Sequence, residues 1–430
     1  MTNKLRTPAV TAALALAATG LLPAAGAQAA PHEPRAPRAC AGLTVTEGWY
    51  GDNKARLDKL IADHCRTTAD KGDKGGKGTK PVAVFDWDNT VIKNDVGDAT
   101  FYWLLRNDRV RPPRHGDWST TSRYLTPEAA TALGAACPTA VRTLPTSTDT
   151  RCADELLAVY GNGTTTGGKK AFDGYDHRRI EPQYAWLAQL LHGWTTRQVN
   201  SFAAAARAEN LAAPQGATQR VGSSQVTGWV RYYDQQRDLI RALKGAGFDV
   251  WIVSASPEPV VDVWAGGVGV APDHALGIRN TTEHGRLTSH LKGCGTVRDG
   301  EDRMITYIDG KRCWINQEIF GVRGPAAERV QPPARRQVLA AGDSDTDISF
   351  LRDATGLRLV LNRNKNELMC RAYDNGDGRW LVNPMFIEPK KRKTTAYPCA
   401  TTGYTAPDGT PAPVRRTDGS VIADQQDSVY

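Results

Sequence analysis

Val82-Ala83-Val84-Phe85 runs without a break into Asp86-Trp87-Asp88-Asn89-Thr90, and this stretch decides the fold. Four apolar residues, three of them β-favouring, with no polar alternation read as a strand buried on both faces, and the abrupt switch to acids marks its exit into a polar loop. The run follows Lys71 to Lys80 (KGDKGGKGTK), a Gly/Lys segment unsuited to regular structure. The pattern recurs downstream. Phe248 to Val253 is a second apolar strand ending in Ser254-Ala255-Ser256-Pro257, and Gln337 to Ala341 a third, ending in Gly342-Asp343-Ser344-Asp345-Thr346-Asp347. Leu357 to Leu361 is a fourth. Between them, Tyr232 to Leu243 has helical spacing closed by Gly245 and Gly247, Ala275 to Leu287 reads as a hairpin, and helical residues follow Lys311. Strands alternating with helices predict an α/β protein built on an open parallel sheet with helices on both faces.

In such a sheet the reactive groups gather beyond the carboxyl ends of the strands. One acid after a strand is usually a helix cap or a turn residue. Here three successive strand ends carry polar clusters, with paired carboxylates at Asp86/Asp88 and Asp343/Asp347 and a hydroxyl at Ser254 between them. Carboxylates brought to one point repel unless a cation neutralises them, and oxygen ligands without Cys or His favour a hard ion such as Mg²⁺. Residues i and i+2 on an extended exit share a side, so Asp86 and Asp88 face one substrate while Trp87 turns away. One carboxylate then attacks an electrophile and the other handles protons, while Ser254 offers its hydroxyl and nearby N–H groups to an anion. This assembly suits phosphoryl transfer through an aspartyl-phosphate.

Asp86-Trp87-Asp88-Asn89-Thr90 resembles the DxDxT first motif of the haloacid dehalogenase (HAD) superfamily, Ser254 its second motif, and Gly342-Asp343-Ser344-Asp345-Thr346-Asp347 its fourth. The third motif is a lysine; Lys311, in Thr306-Tyr307-x-x-Gly310-Lys311-x-x-x-Ile315, is best placed, with Lys292 as the alternative. The resemblance implies a Rossmann-like core with a cap inserted between motifs one and two. It further implies that Asp86 is the nucleophile, Asp88 the general acid/base, and Ser254 and Lys311 the phosphoryl ligands. Mg²⁺ would be held by Asp86, Asp343 and the Asp88 backbone carbonyl, with Asp347 supporting the shell. An acid at Asp88 argues for ester hydrolysis over dehalogenation, which has no leaving alcohol to protonate.

On this reading the core covers residues 81–94 and 231–389, and a mostly helical cap covers 95–230. The cap contains helical spacing at Asp98 to Leu105 and Pro182 to Leu191, a flexible loop from Gly161 to Lys170, and a capping box at Thr195-x-x-Gln198. Pro182-Gln183-Tyr184-Ala185-Trp186-Leu187-Ala188-Gln189-Leu190-Leu191-x-Gly193 and Trp380-Leu381-Val382-Asn383-Pro384-Met385-Phe386 resemble phosphorylcholine phosphatase-like secreted proteins. A quaternary ammonium has no donor and is best held by aromatic faces and a carboxylate; Tyr102 and Trp103, just after motif one, are the cage candidates. The expected activity is a secreted Mg²⁺-dependent phosphomonoesterase acting on a small phosphate ester, phosphocholine among them. The rival readings are a broad-specificity acid phosphatase or phosphotransferase, and a silent ligand-binding protein of the same fold.

Of 430 residues, 40% are hydrophobic and 23% charged, which excludes disordered and coiled-coil classes. Lys4 and Arg6 precede an apolar run from Pro8 to Leu22 and then Ala27-Gln28-Ala29, the pattern of a secretory signal peptide over 1–29 cleaved near Ala29. The run is shorter than the ~20 residues a membrane span needs. Its removal would lower the net charge from +8 to +6, mildly basic and not by itself the mark of a nucleic-acid binder. Residues 30–80 read as an extended arm and a helical lead-in. In an oxidising compartment the eight cysteines imply disulfides, of about a hundred possible pairings. Sequence proximity favours Cys40–Cys65, Cys137–Cys152, Cys294–Cys313 and Cys370–Cys399. The tail 390–430, opening on the basic run Lys390 to Lys393, reads as solvated and poorly packed.

Overall fold

The computed structural model describes residues 40–65 and 80–430. The signal-peptide pattern, the arm from Pro31 to Arg38 and almost all of the Gly/Lys segment lie outside these residues. One parallel sheet organises the rest, with strands β1 (Val82–Phe85), β2 (Asp249–Pro257), β3 (Ala275–Ile278), β4 (Leu339–Gly342), β5 (Leu357–Asn362) and β6 (Trp380–Pro384). Their spatial order is β6-β5-β4-β1-β2-β3. The chain fills one side of β1 with β2 and β3 and then crosses to the other with β4, so the order reverses at β1/β4, where an open sheet leaves a crevice for ligands. Register aligns the strand ends: Phe85 pairs with both Ala341 and Ile252. The first residues past β1 and β4 therefore share one level with Val253 and Ser254 of β2.

Both faces of the sheet are covered, which is why the strands are apolar throughout rather than alternating. Ala83 and Phe85 of β1 pack with Leu239, Ile240 and Leu243 of the helix Asp234–Gly245; Val82 and Val84 join Phe350, Leu351, Leu368 and Met369 on the opposite side. Residues 95–230, between β1 and β2, carry the helices Val96–Arg106, Pro127–Ala136, Thr150–Leu157, Pro182–Gln189 and Thr196–Ala212 and a hairpin, Thr218–Val221 with Ser224–Thr227. The Thr195/Gln198 capping box forms at the start of the longest of these helices. Among the described residues no helix is long and apolar enough to cross a membrane.

Two expectations need correction, and one strand was not foreseen. Ala275–Ile278 is not the first arm of a hairpin but a sheet strand, parallel to β2; the hairpin lies just beyond, Asn280–Glu283 with Arg286–Leu291. Trp380–Pro384 is an edge strand that no periodicity announced. The tail is not loosely attached. Tyr397, Cys399, Val414 and Ile422 are buried in the core against the Asn366–Asp374 helix, and Asn362 Nδ2 at the end of β5 donates to Asp427 Oδ1 (2.9 Å) and to the Val429 carbonyl (2.6 Å). Its polar, Pro/Gly-rich composition hid a few widely spaced anchors, one of them a disulfide. All four proximity pairs form: Cys40–Cys65, Cys137–Cys152, Cys294–Cys313 and Cys370–Cys399.

Candidate active site

Beyond the carboxyl ends of β1 and β4, the carboxylates of Asp86, Asp343 and Asp347 each offer an oxygen within 4.8 Å of the others, and all three residues are buried. Local sequence explains the convergence. Asp86 continues β1, with its N–H donating to the Ala341 carbonyl (2.9 Å). Thr90, four residues on, comes back under it as the loop turns at Asn89 (φ +63), and its hydroxyl lies 3.0 Å from Asp86 Oδ2 and 2.8 Å from Asp343 Oδ1. Asp347 folds back over the end of β4, accepting from the N–H groups of Asp343 (2.9 Å) and Ser344 (3.1 Å). Gly342 makes room for this, since a Cβ there would fall 2.7 Å from Asp347 Oδ2.

Lys311 supplies the counter-charge. It is fully buried on the helix Asp309–Glu318, and its Nζ bridges Asp86 Oδ1 and Asp347 Oδ1 at 2.6 Å each. Burial opposes its charge, but Asp347 and Asp86 outweigh it and hold the ammonium above its ordinary pKa. Gly310 is required just before it, where a Cβ would strike the Ile305 carbonyl at 1.8 Å. Lys292, by contrast, pairs with Asp299 in a half-exposed bridge at 2.6 Å and is absent from this cluster. Arg363, directly after β5, reaches Asp343 Oδ2 from the other side at 2.5 Å. Burial, then the Asp347 charge, pushes the Asp86 carboxyl well above its usual range, against the pull of Lys311.

Asp88 is placed differently. Its carboxylate is turned from the three acids and accepts from the Val96 N–H (2.7 Å), Ser256 Oγ (2.9 Å) and Ser254 Oγ (3.2 Å). The Asp88 carboxylate is not one of the three clustered acids. Burial, and next the charge of Asp95, raises its pKa well above the carboxylate norm, against the pull of its three hydrogen-bond donors. Ser254 is fully buried and Thr306 Oγ1 donates to its carbonyl (2.5 Å); it is Ser256, two residues on, that lines the cavity.

Asp86 and Asp88 floor a cavity of about 770 Å³ walled by Asp95, Asp98, Tyr102, Tyr184, Trp229 and Tyr307 among others. Asp95 caps the helix Val96–Arg106 through the Asp98 N–H (2.9 Å), and Asp98 and Tyr102 share one face at i, i+4 spacing. Tyr160 OH donates to Asp98 (2.8 Å). Burial raises Asp95 to about 7 and Asp98 to about 6, each helped by a neighbouring carboxylate. Trp103, expected beside Tyr102, points away: its ring stacks on Phe202 and its indole N–H donates to Glu209 (2.9 Å). Neighbours on a helix face different directions, and only one of the pair can look into the cavity. Sequence reasoning also passed over Asp95, Asp98, Ser256 and Arg363. Arg363 comes just past the fourth strand read from the sequence, so the strand-end rule that found the other clusters would have found it.

A model of haloacid dehalogenase-like hydrolases matches residues 165–352, which include Ser254, Lys311, Asp343 and Asp347 but begin downstream of Asp86. A phosphorylcholine phosphatase of Pseudomonas aeruginosa is 22% identical over 346 residues, covering 75% of this chain and 83% of that protein. A solved structure of a functionally unknown protein from Anaerococcus prevotii superposes with a TM-score of 0.57 at 19% identity, over 80% of this chain and 94% of the other. A second, of unknown function from Bordetella pertussis, gives a TM-score of 0.42 at 17% identity, over 71% and 99%.

Proposed function

Starting from a chain that belongs to the haloacid dehalogenase superfamily, as one of its phosphoric monoester hydrolases, we propose a secreted, Mg²⁺-dependent phosphatase in which Asp86 is the nucleophile. The observation that carries this is the division of labour at the cavity floor. Asp86 lies among charges that fix a phosphoryl group, while Asp88, on the same loop, is held by two serines in an environment that favours its protonated form.

The donor set fits a hard divalent cation: three buried carboxylates with no nitrogen or sulfur ligand, only partly neutralised by Lys311 and Arg363. Asp86, Asp343 and the Asp88 carbonyl would hold it, Asp347 supporting them. When bound, the ion supplies charge stabilisation for the transferring phosphoryl group. This chain's own residues do the rest. An Asp86 Oδ forms a bond to phosphorus as the ester P–O bond breaks, and the departing oxygen takes the proton of Asp88. A water then attacks phosphorus, returning its proton to Asp88, and the Asp86–phosphorus bond breaks to release phosphate. Lys311 offsets the charge that builds on the phosphoryl oxygens.

The leaving group is proposed to be a cationic alcohol of the choline type. The cavity wall supports it: Asp95 and Asp98 offer negative charge, and Tyr102, Tyr184, Trp229 and Tyr307 offer rings, the pairing a quaternary ammonium requires. The Pseudomonas relative named for phosphorylcholine points the same way. Residues 95–230 serve as the cap in this reading. Export is supported by the N-terminal sequence pattern and the four disulfides. A panel of phosphate esters with and without EDTA tests the proposal: phosphocholine should be turned over faster than aryl and sugar phosphates, and EDTA should abolish all three. Equal turnover across the panel would sink the cationic-alcohol assignment, and EDTA-resistant activity the metal dependence.

A further inference from the structure

A second cluster of charge lies outside the catalytic cavity, where residues 109–114, the turn at Gly193 and the tip of the Asn280–Glu283/Arg286–Leu291 hairpin meet. The hairpin is tied to the turn by Gly193 N–H donating to the Leu287 carbonyl (2.7 Å) and Leu287 N–H donating to Trp194 (2.8 Å). Two arginines converge on that turn. Arg286 Nη1 donates to the Gly193 carbonyl (2.9 Å), and the Arg111 side chain passes so close that a Cβ on Gly193 would sit 3.0 Å from its Cδ. The Arg111 guanidinium lies over the Trp194 ring, 4.1 Å from its centre, and Trp194 in turn donates to the Arg109 carbonyl (2.9 Å). Leu144 N–H donates to the Val110 carbonyl (2.8 Å), which brings exposed Arg142 alongside; Arg114 is exposed on the same loop.

What sets this group apart is the missing acid. The most deeply buried arginines are matched, Arg178 with Glu367, Arg312 with Asp353, Arg358 with Asp377 and Arg371 with Glu367, and the unpaired Arg207, Arg231, Arg336 and Arg352 are scattered singly along the chain, whereas here several converge on one turn. Among the described residues, Arg109, Arg111, Arg114, Arg142 and Arg286 make no ion pair. The nearby acids are engaged elsewhere, Asp108 with Ser147, Asp117 with Ser119, and Glu283, which stands opposite Arg286 in the hairpin, with His284 at 3.8 Å. The Arg111 Nε is buried without a hydrogen-bond partner. Burial, then the charges of Arg286 and Arg142, draws the Arg111 guanidinium below its ordinary pKa. Like charges gathered this closely repel, and an unmatched cationic surface concentrates anions instead. Guanidinium forks match phosphate oxygens two at a time.

We propose that this cluster is a binding site for a phosphate-bearing polyanion, with Arg111, Arg142 and Arg286 as its ligands and Arg109 and Arg114 at its edge. The site goes beyond the phosphatase reading, since none of its members lines the catalytic cavity. Single-stranded nucleic acid is disfavoured because recognition there uses exposed stacking rings, and Trp194 is buried beneath Arg111.

The test compares the full chain with its R142Q/R286Q variant, both exposed positions whose change leaves the core intact. Calorimetric titration with inorganic tripolyphosphate, without divalent cations, should show binding that weakens with salt and is at least about tenfold weaker in the variant. Hydrolysis of an aryl phosphate should be equal in the two proteins. Co-sedimentation with phosphatidic acid vesicles against phosphatidylcholine vesicles separates the sources: variant-sensitive capture by the anionic vesicles, without affinity for tripolyphosphate, identifies phosphate displayed on a membrane. Equal affinity of both proteins for tripolyphosphate and for the vesicles, or no binding of either probe, overturns the proposal.

Discussion

Replacing Lys311 by Met removes the positive charge that Asp86 and Asp347 share while keeping most of the side chain's length. At 2.6 Å and an effective dielectric of about 20, each contact carries roughly 6 kcal/mol of gross Coulomb attraction. Desolvation of three buried charges offsets most of that, and the measurable quantity is the cost of leaving the carboxylates uncompensated, about 3–5 kcal/mol. Urea denaturation of EDTA-treated protein, followed by circular dichroism near neutral pH, reads it directly. Two accompanying signatures are expected. Mg²⁺ should stabilise K311M more than wild type, because the ion takes over the neutralisation that the lysine supplied. The deficit should also depend on pH. The Asp86 pKa is already raised in the folded state, and loss of Lys311 raises it further, so the native variant binds more protons than its unfolded chain. The deficit is therefore fully present above that folded pKa and shrinks as pH falls through it. A variant within about 1 kcal/mol of wild type, with no extra gain from Mg²⁺, would refute this account of the site's electrostatics.

D98N should weaken phosphocholine binding, seen as a raised KM, while leaving KM for a neutral aryl phosphate unchanged. Because burial raises Asp98 to about 6, its charge costs stability above that pH, and the cost vanishes below the unfolded value of 3.8. D98N should therefore melt higher than wild type in alkaline buffer and equal to it in strong acid; the same difference at both extremes would contradict the assignment. D88N should slow esters of poor leaving alcohols by about 10²–10⁴-fold and activated aryl esters far less, and an equal loss on both would remove the general-acid role. Replacing Cys370 and Cys399 together by Ser opens a loop of 29 residues and should cost about 3–4 kcal/mol in denaturant unfolding. Thiol titration of denatured, unreduced protein should find no free cysteine, whereas a count near eight would refute the disulfide framework.

The strand ends were the most legible part of this molecule. Val82 to Phe85 and the run before Gly342 are apolar because both faces of the sheet are covered, and that continuity is visible in one dimension. So was the acid cluster, since parallel strands in register bring their exits to one level whatever the connections between them. Less legible were features set by direction or by distant partners. Tyr102 and Trp103 are adjacent in sequence, but the helix turns one into the cavity and the other toward Phe202. Ser254 and Ser256 lie on one strand, and both hydroxyls reach Asp88, yet only the second opens on the cavity. Arg363 lies directly past the strand Leu357–Asn362 and was open to the same strand-end rule, but that rule was applied to acids and hydroxyls and not to a cation. The tail looked solvated because its buried anchors, Tyr397, Cys399, Val414 and Ile422, are separated by polar turns with no period.

The central claim is that Asp86 carries the phosphoryl group between substrate and water. Its most direct measurement is an acid-quenched single turnover of a phosphate-labelled ester in the presence of Mg²⁺, followed by peptide mapping. The account predicts label on Asp86, in the peptide spanning Val82 to Thr90, and none in the D86N variant. Label on another residue, or full hydrolysis by D86N, would contradict it.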